Sequence, residues 1–200
     1  MNTKIRTLLV IVFSLPSISM ANVINLDGGV RLKTQSYTHK HISQDGSICA
    51  DFVKKELLVS ACFYGKSLDE AAERNGFFRY RNLSEEGKRQ MQLLPLNAMV
   101  YAEGSYSWLY QTTSIKIGDF KGYESTSVLC RDGSTNTGEP ATCYAAALEP
   151  SGSAASSLSV FVMAIVDKPP GSPKALSLVA QHRIDVIHAV IESIQILPCD

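Results

Sequence analysis

The chain has 200 residues, 19 Lys+Arg against 19 Asp+Glu, with 45% hydrophobic and 8% aromatic residues, enough to bury one sizeable core in a single domain. A formal charge of zero and no basic run leave no electrostatic footprint for nucleic acid or for an anionic membrane surface. Charged residues make up 19% and no low-complexity tract dominates, which argues against a disordered chain.

Residues 1–21 carry Lys4 and Arg6, an apolar run from Leu8 to Leu15, Pro16, and Ser19-Met20-Ala21 with small residues flanking a cleavage point. This predicts a secretory signal peptide removed after Ala21, because the apolar run is shorter than the roughly 20 residues a membrane-spanning helix needs. The mature domain, residues 22–200, is expected to work as a soluble protein in the periplasm.

Asp27-Gly28-Gly29 sits between short apolar stretches and predicts a first hairpin within Val23–Lys33. Ile48–Val53 and Leu57–Tyr64 are β-prone runs joined at Lys54-Lys55. Ser67-Leu68-Asp69-Glu70 is a capping box that starts a short helix, with Gly76 placed to end it. A second short helix is predicted after Ser84, with Glu85 and Glu86 in its first turn, running to Leu93 ahead of Pro95. From Asn97 the pattern turns to strands: Met99–Glu103, Ser107–Ile117, Tyr123–Cys130, Cys143–Leu148 and Leu158–Val166, punctuated by glycines. Short connections make sequential strands antiparallel neighbours. Ser172 and Pro173 then cap a final helix to about Ile194. In it Leu176, Val179, Ala180, Ile184, Ile187, Val190, Ile191 and Ile194 form an apolar stripe that needs a sheet to cover. The expected class is α+β, an antiparallel sheet with a long amphipathic C-terminal helix on one face and short helices elsewhere.

All five cysteines lie beyond the predicted leader, where an oxidising compartment favours pairing. Cys130 with Cys143 is the first expected bridge, since each borders a strand-like run and Arg131 to Pro140 between them is turn-rich. Cys49 with Cys62 is the second, by the same logic across Asp51 to Ser60. Cys199 is left to pair with one of these, stay free or bridge two chains. No C-x-x-C or Cys…His spacing predicts zinc.

A nucleophile elbow, H-E-x-x-H, a phosphate loop and a dinucleotide fingerprint are all missing from the sequence. His39 and His41 point to one side of a strand without an evident third ligand, and His182 and His188 face different directions on the last helix as surface or packing residues. No enzyme chemistry, metal or cofactor is expected. The suggestive cluster is aromatic: Tyr106, Trp108 and Tyr110 share one strand face, followed by Tyr123, and they either fill the core or form a platform for a partner.

The run Ser114-Ile115-Lys116-Ile117-Gly118-Asp119-Phe120-Lys121-Gly122-Tyr123-Glu124 resembles the hairpin of Mog1/PsbP-like proteins, including the bacterial DcrB group, in which a short strand and a glycine turn lead into the central sheet. The strand Val160–Val166 and the closing helix follow the same order. The cysteines and the turn-rich insert between Cys130 and Cys143 depart from that pattern. The resemblance implies an accessory factor, a chaperone or a periplasmic immunity protein against a toxin such as those of type VI secretion. The leading expectation is therefore a periplasmic binding protein that neutralises a secreted antibacterial toxin. Its contact surface is expected at Tyr106, Trp108, Tyr110, Tyr123 and Glu124, with Arg131 and Asp132 on a wedge-like loop. An envelope accessory or ligand-binding module is the alternative, and a small envelope hydrolase the third.

Overall fold

The computed structural model describes residues 22–26, 29–91, 94–103, 108–132, 139–152, 157–167 and 178–197. The predicted leader, Asp27-Gly28 of the first turn, Leu93 at the end of the second helix, Tyr106, the tip of the insert after Asp132, the cap at Ser172-Pro173, Leu176 of the stripe and Cys199 lie outside the described residues.

In chain order, β1 (Asn22–Asn25) pairs with β2 (Arg31–Thr34), and β3 (His39–Ile42), β4 (Ile48–Lys54) and β5 (Leu57–Tyr64) follow as antiparallel neighbours. The β4–β5 connection is a two-residue turn between paired Lys54 and Leu57, with Lys55 at φ 48° and Glu56 at φ 65°. Side chains other than Gly and Asn resist that left-handed region. Lys55→Asn with Glu56→Gly is therefore expected to raise stability by about 1 kcal/mol, read as a higher urea midpoint at unchanged slope.

The helix α1 (Leu68–Ala72) begins where predicted: Ser67 donates its backbone N–H (2.9 Å) and its hydroxyl (2.6 Å) to Glu70 Oε2. Those two bonds hold the Glu70 carboxyl below its ordinary pKa. A 3₁₀ turn, Glu73–Asn75, extends α1 until Gly76 at φ 77° stops it. Next come β6 (Phe77–Arg79), α2 (Glu85–Met91), β7 (Met99–Glu103), β8 (Trp108–Gln111), β9 (Thr113–Ile117), β10 (Phe120–Asp132), β11 (Glu139–Pro150), β12 (Ser159–Asp167), α3 (Leu178–Glu192) and β13 (Gln195–Leu197).

The strands form three antiparallel sheets. The central one has seven strands in the order β3-β4-β5-β12-β11-β10-β9, flanked by the three-stranded sheets β1-β2-β13 and β6-β7-β8. On one face of the central sheet, Phe52, Phe63, Tyr144, Leu148 and Val162 pack against Ile184, Ile187 and Ile191 of α3 and against Ile24 and Leu32 of the first small sheet. On the other face, Cys143, Ala145, Ala147 and Phe161 meet α1 and the inner side of the second small sheet through Phe77, Met99 and Tyr101. Val100 on that sheet's outer side is closed off by Tyr80, Leu83 and Met91. β11 is buried on both faces from Ala141 to Leu148, so its run of small and apolar residues reads as a strand between two covers. The protein is thus α+β, with α3 packed on the central sheet and two short helices.

Two expectations need correction. Ser107–Ile117 is not one strand: it breaks at Thr112, whose hydroxyl donates to the Met99 carbonyl at 2.7 Å. β8 then belongs to the β7 ladder and β9 to the β10 ladder. The C-terminal helix stops at Glu192, because Gln195–Leu197 turns back to pair with β2. The apolar stripe otherwise faces the sheet, except Val179, which is exposed. Among the described residues no helix is long and apolar enough to cross a membrane.

Candidate functional site

The chain's passage from the second small sheet into the central sheet creates the most distinctive local geometry. β10 pairs with β9 only as far as Glu124 opposite Thr113. Its register against β11 then slips between Ser125 (opposite Ala145) and Val128 (opposite Cys143), so Thr126 and Ser127 have no partner position in either ladder. Such a bulge adds one residue and bends the strand. Beyond it β10 is held by β8, where the Leu129 N–H donates to the Tyr110 hydroxyl at 3.1 Å. The gap left between the two sheets is an open cavity of about 260 Å³ lined by Tyr110, Gln111, Thr113, Glu124, Ser125, Thr126 and Ser127.

Glu124, expected on the contact surface, is only 8% exposed and lines this cavity. Strand alternation puts it on the face covered by α3, where its Oε2 lies 2.8 Å from Nε2 of His188. An ionised carboxylate only accepts hydrogen bonds, so this imidazole nitrogen is the donor. His188, expected as a surface or packing residue, is thus the polar clamp between helix and sheet. The ring of Tyr144 meets that of His188 edge-on, with centroids 5.8 Å apart. Tyr144 is fully buried and its hydroxyl has no hydrogen-bond partner among the described residues. Burial, reinforced by the nearby negative charge of Glu124, pushes its phenol above the ordinary range. An orphaned buried hydroxyl costs stability. Tyr144→Phe is therefore expected to leave stability unchanged or raise it by up to about 1 kcal/mol in urea denaturation, whereas a loss of about 2 kcal/mol would reveal a partner for the hydroxyl.

The other predicted contact residues are distributed unevenly. Trp108 is 62% exposed on β8. Tyr110, on the same strand face, is half-buried and packs its ring 6.3 Å from that of Tyr101, so part of the aromatic cluster does serve the core. Tyr123 is half-buried and locked: Arg79 Nη1 donates to its hydroxyl at 3.1 Å, and the guanidinium lies over its ring at 5.5 Å. Arg79 is itself fixed by Asp69 at 2.7 Å. Arg131 is exposed near the end of β10, and Asp132 pairs with Glu139 where the β10–β11 arm leaves the described residues. Tyr106 lies outside the described residues.

Both expected disulfides are present. Cys130–Cys143 joins β10 to β11 at the foot of that arm, with Cα atoms 5.9 Å apart. Cys49–Cys62 bridges directly opposed residues of β4 and β5, with Cα atoms 4.0 Å apart. Two such bonds fit an oxidising, extracytoplasmic compartment. His39 and His41 stand on the exposed edge strand β3 with rings 5.7 Å apart, and no group of three or more metal-ligating side chains occurs among the described residues. Comparison of the chain with protein-family models, with curated proteins and with solved structures finds no match.

Proposed function

We propose that the protein is an exported periplasmic binding protein with a Mog1/PsbP-like fold that neutralises a secreted antibacterial toxin by capping it. The observation that supports this reading best is Trp108, a large apolar ring left 62% exposed on a strand that sheet pairing holds rigid. Exposed tryptophans on rigid strands are the side chains that most often anchor protein contacts. The Tyr110–Leu129 hydrogen bond ties this strand to the disulfide-stapled arm that carries Arg131 and Asp132, so ring and arm belong to one preorganised region. Preorganisation lowers the ordering cost of binding.

The test is Trp108→Ala. The expected result is a loss of about 2 kcal/mol in affinity for the toxin, roughly 30-fold in Kd by calorimetry, with a melting temperature within about 2 °C of the parent. A large fall in melting temperature with affinity unchanged would assign the ring to packing. The cavity beside Glu124 favours a second reading, an envelope ligand-binding module without a toxin partner. In that case Trp108→Ala leaves the function untouched.

A further inference from the structure

We propose that the cavity between β8, β9 and the β10 bulge is a receptor for an ammonium or guanidinium group. Among the described residues that line it, Glu124 supplies the one formal charge, and none is a lysine, arginine or histidine. The remaining wall is oxygen-rich: the Gln111 amide and the hydroxyls of Thr113, Ser125, Thr126 and Ser127. A carboxylate accepts about four hydrogen bonds, and His188 takes one of them at Oε2, which leaves Glu124 with capacity for further donors. Because Thr126 and Ser127 have no opposite number in either ladder, the bulge turns its backbone away from sheet pairing just where the cavity opens.

These features select the ligand's sign and its donor count. An anion would face Glu124 without a compensating cation, and a purely apolar group would leave the buried carboxylate short of donors. A cation bearing several N–H donors satisfies both the charge and the surrounding hydroxyls, and a planar guanidinium does so with two parallel bonds to one carboxylate. Since a water molecule takes about 30 Å³, a cavity of about 260 Å³ has room for such a group and a short methylene stem. Both sources of the chemistry, a small free amine and the basic side chain of a protein, present the same group. Cation binding in this cavity does not depend on Trp108 as an anchor, and either can fail alone.

Backbone amide NMR shifts of the purified protein at pH 8, titrated with n-butylguanidinium, n-butylammonium and, as the anionic control, butyrate, test the proposal. The expected result is saturable shifts clustered at Gln111, Thr113 and Ser125 to Ser127 with either cation and none with butyrate. Glu124→Gln should weaken binding at least tenfold. Gln111→Lys leaves the Glu124–His188 pair intact and supplies a competing ammonium from an exposed lining position; it should block the probe to a similar extent and decides the matter if Glu124→Gln fails to fold. Nα-acetyl-argininamide binding tenfold tighter than butylguanidinium would identify a protein side chain as the natural occupant, and equal affinities a free amine; both support the site. Shifts that do not saturate, that persist in a folded Gln111→Lys variant, or that butyrate reproduces would overturn it.

Discussion

Gly122→Ala is expected to cost about 4 kcal/mol or more, a large share of the roughly 5–15 kcal/mol that keeps a domain folded. Gly122 lies in β10 opposite Leu148 on one side and Ile115 on the other. A Cβ there would stand 2.1 Å from the Ala147 carbonyl oxygen and 2.9 Å from the Leu148 Cα. Both atoms are backbone of β11, which is packed between two layers and cannot retreat without opening the central sheet. Circular dichroism and urea unfolding read the effect. Gly152, where an added Cβ meets nothing within 4 Å, is the matched control, and Gly152→Ala is expected to stay within about 0.5 kcal/mol of the parent.

The second large effect is loss of a disulfide. Cys130 and Cys143 are 13 positions apart, as are Cys49 and Cys62, so the chain-entropy argument assigns each closed loop about 3 kcal/mol. Cys130→Ser with Cys143→Ser should lower the melting temperature by about 6–12 °C for a domain of this size. The Cys49 and Cys62 pair should cost a similar amount, since their bond also closes a hairpin of the central sheet. A difference between the two double variants would report how the two bonds differ in the native sheet, because the loop-entropy contribution is common to both. Calorimetry with and without dithiothreitol provides the check: a parent protein whose melting temperature ignores reduction would contradict the stapling.

Features carried by neighbouring residues were legible from the sequence. Ser67 and Glu70 announced α1 and Gly76 its end. The alternation of Ile48–Val53 and Leu57–Tyr64 announced a hairpin, and the repeat through Ile184, Ile187 and Ile191 announced a helix on a sheet. Features decided by remote partners were not. Nothing in Ser107–Ile117 marks Thr112 as a break, because the break exists only through the Met99 carbonyl and two different ladders. Gln195–Leu197 is too short to read as a strand without β2 beside it. The Glu124–His188 clamp joins residues 64 positions apart. Its one local signal was a carboxylate on the same strand face as Phe120, a core residue, so that Glu124 stood in phase with the core while read as surface. The aromatic cluster shows the same divide: one alternation suits both a core face and a platform, and only packing separates exposed Trp108 from Tyr110 and Tyr123.

The proposed capping of a toxin is tested most directly by co-expression in a bacterial periplasm. A photo-crosslinking amino acid at position 108 captures the partner from the native envelope, and the captured protein is then exported to the periplasm of a sensitive strain with or without this chain. The expected result is a single secreted toxin that stops growth alone, is tolerated when the parent chain is present, and regains toxicity against Trp108→Ala. Capture of no protein at this position, or of one that is harmless to the strain, would contradict it.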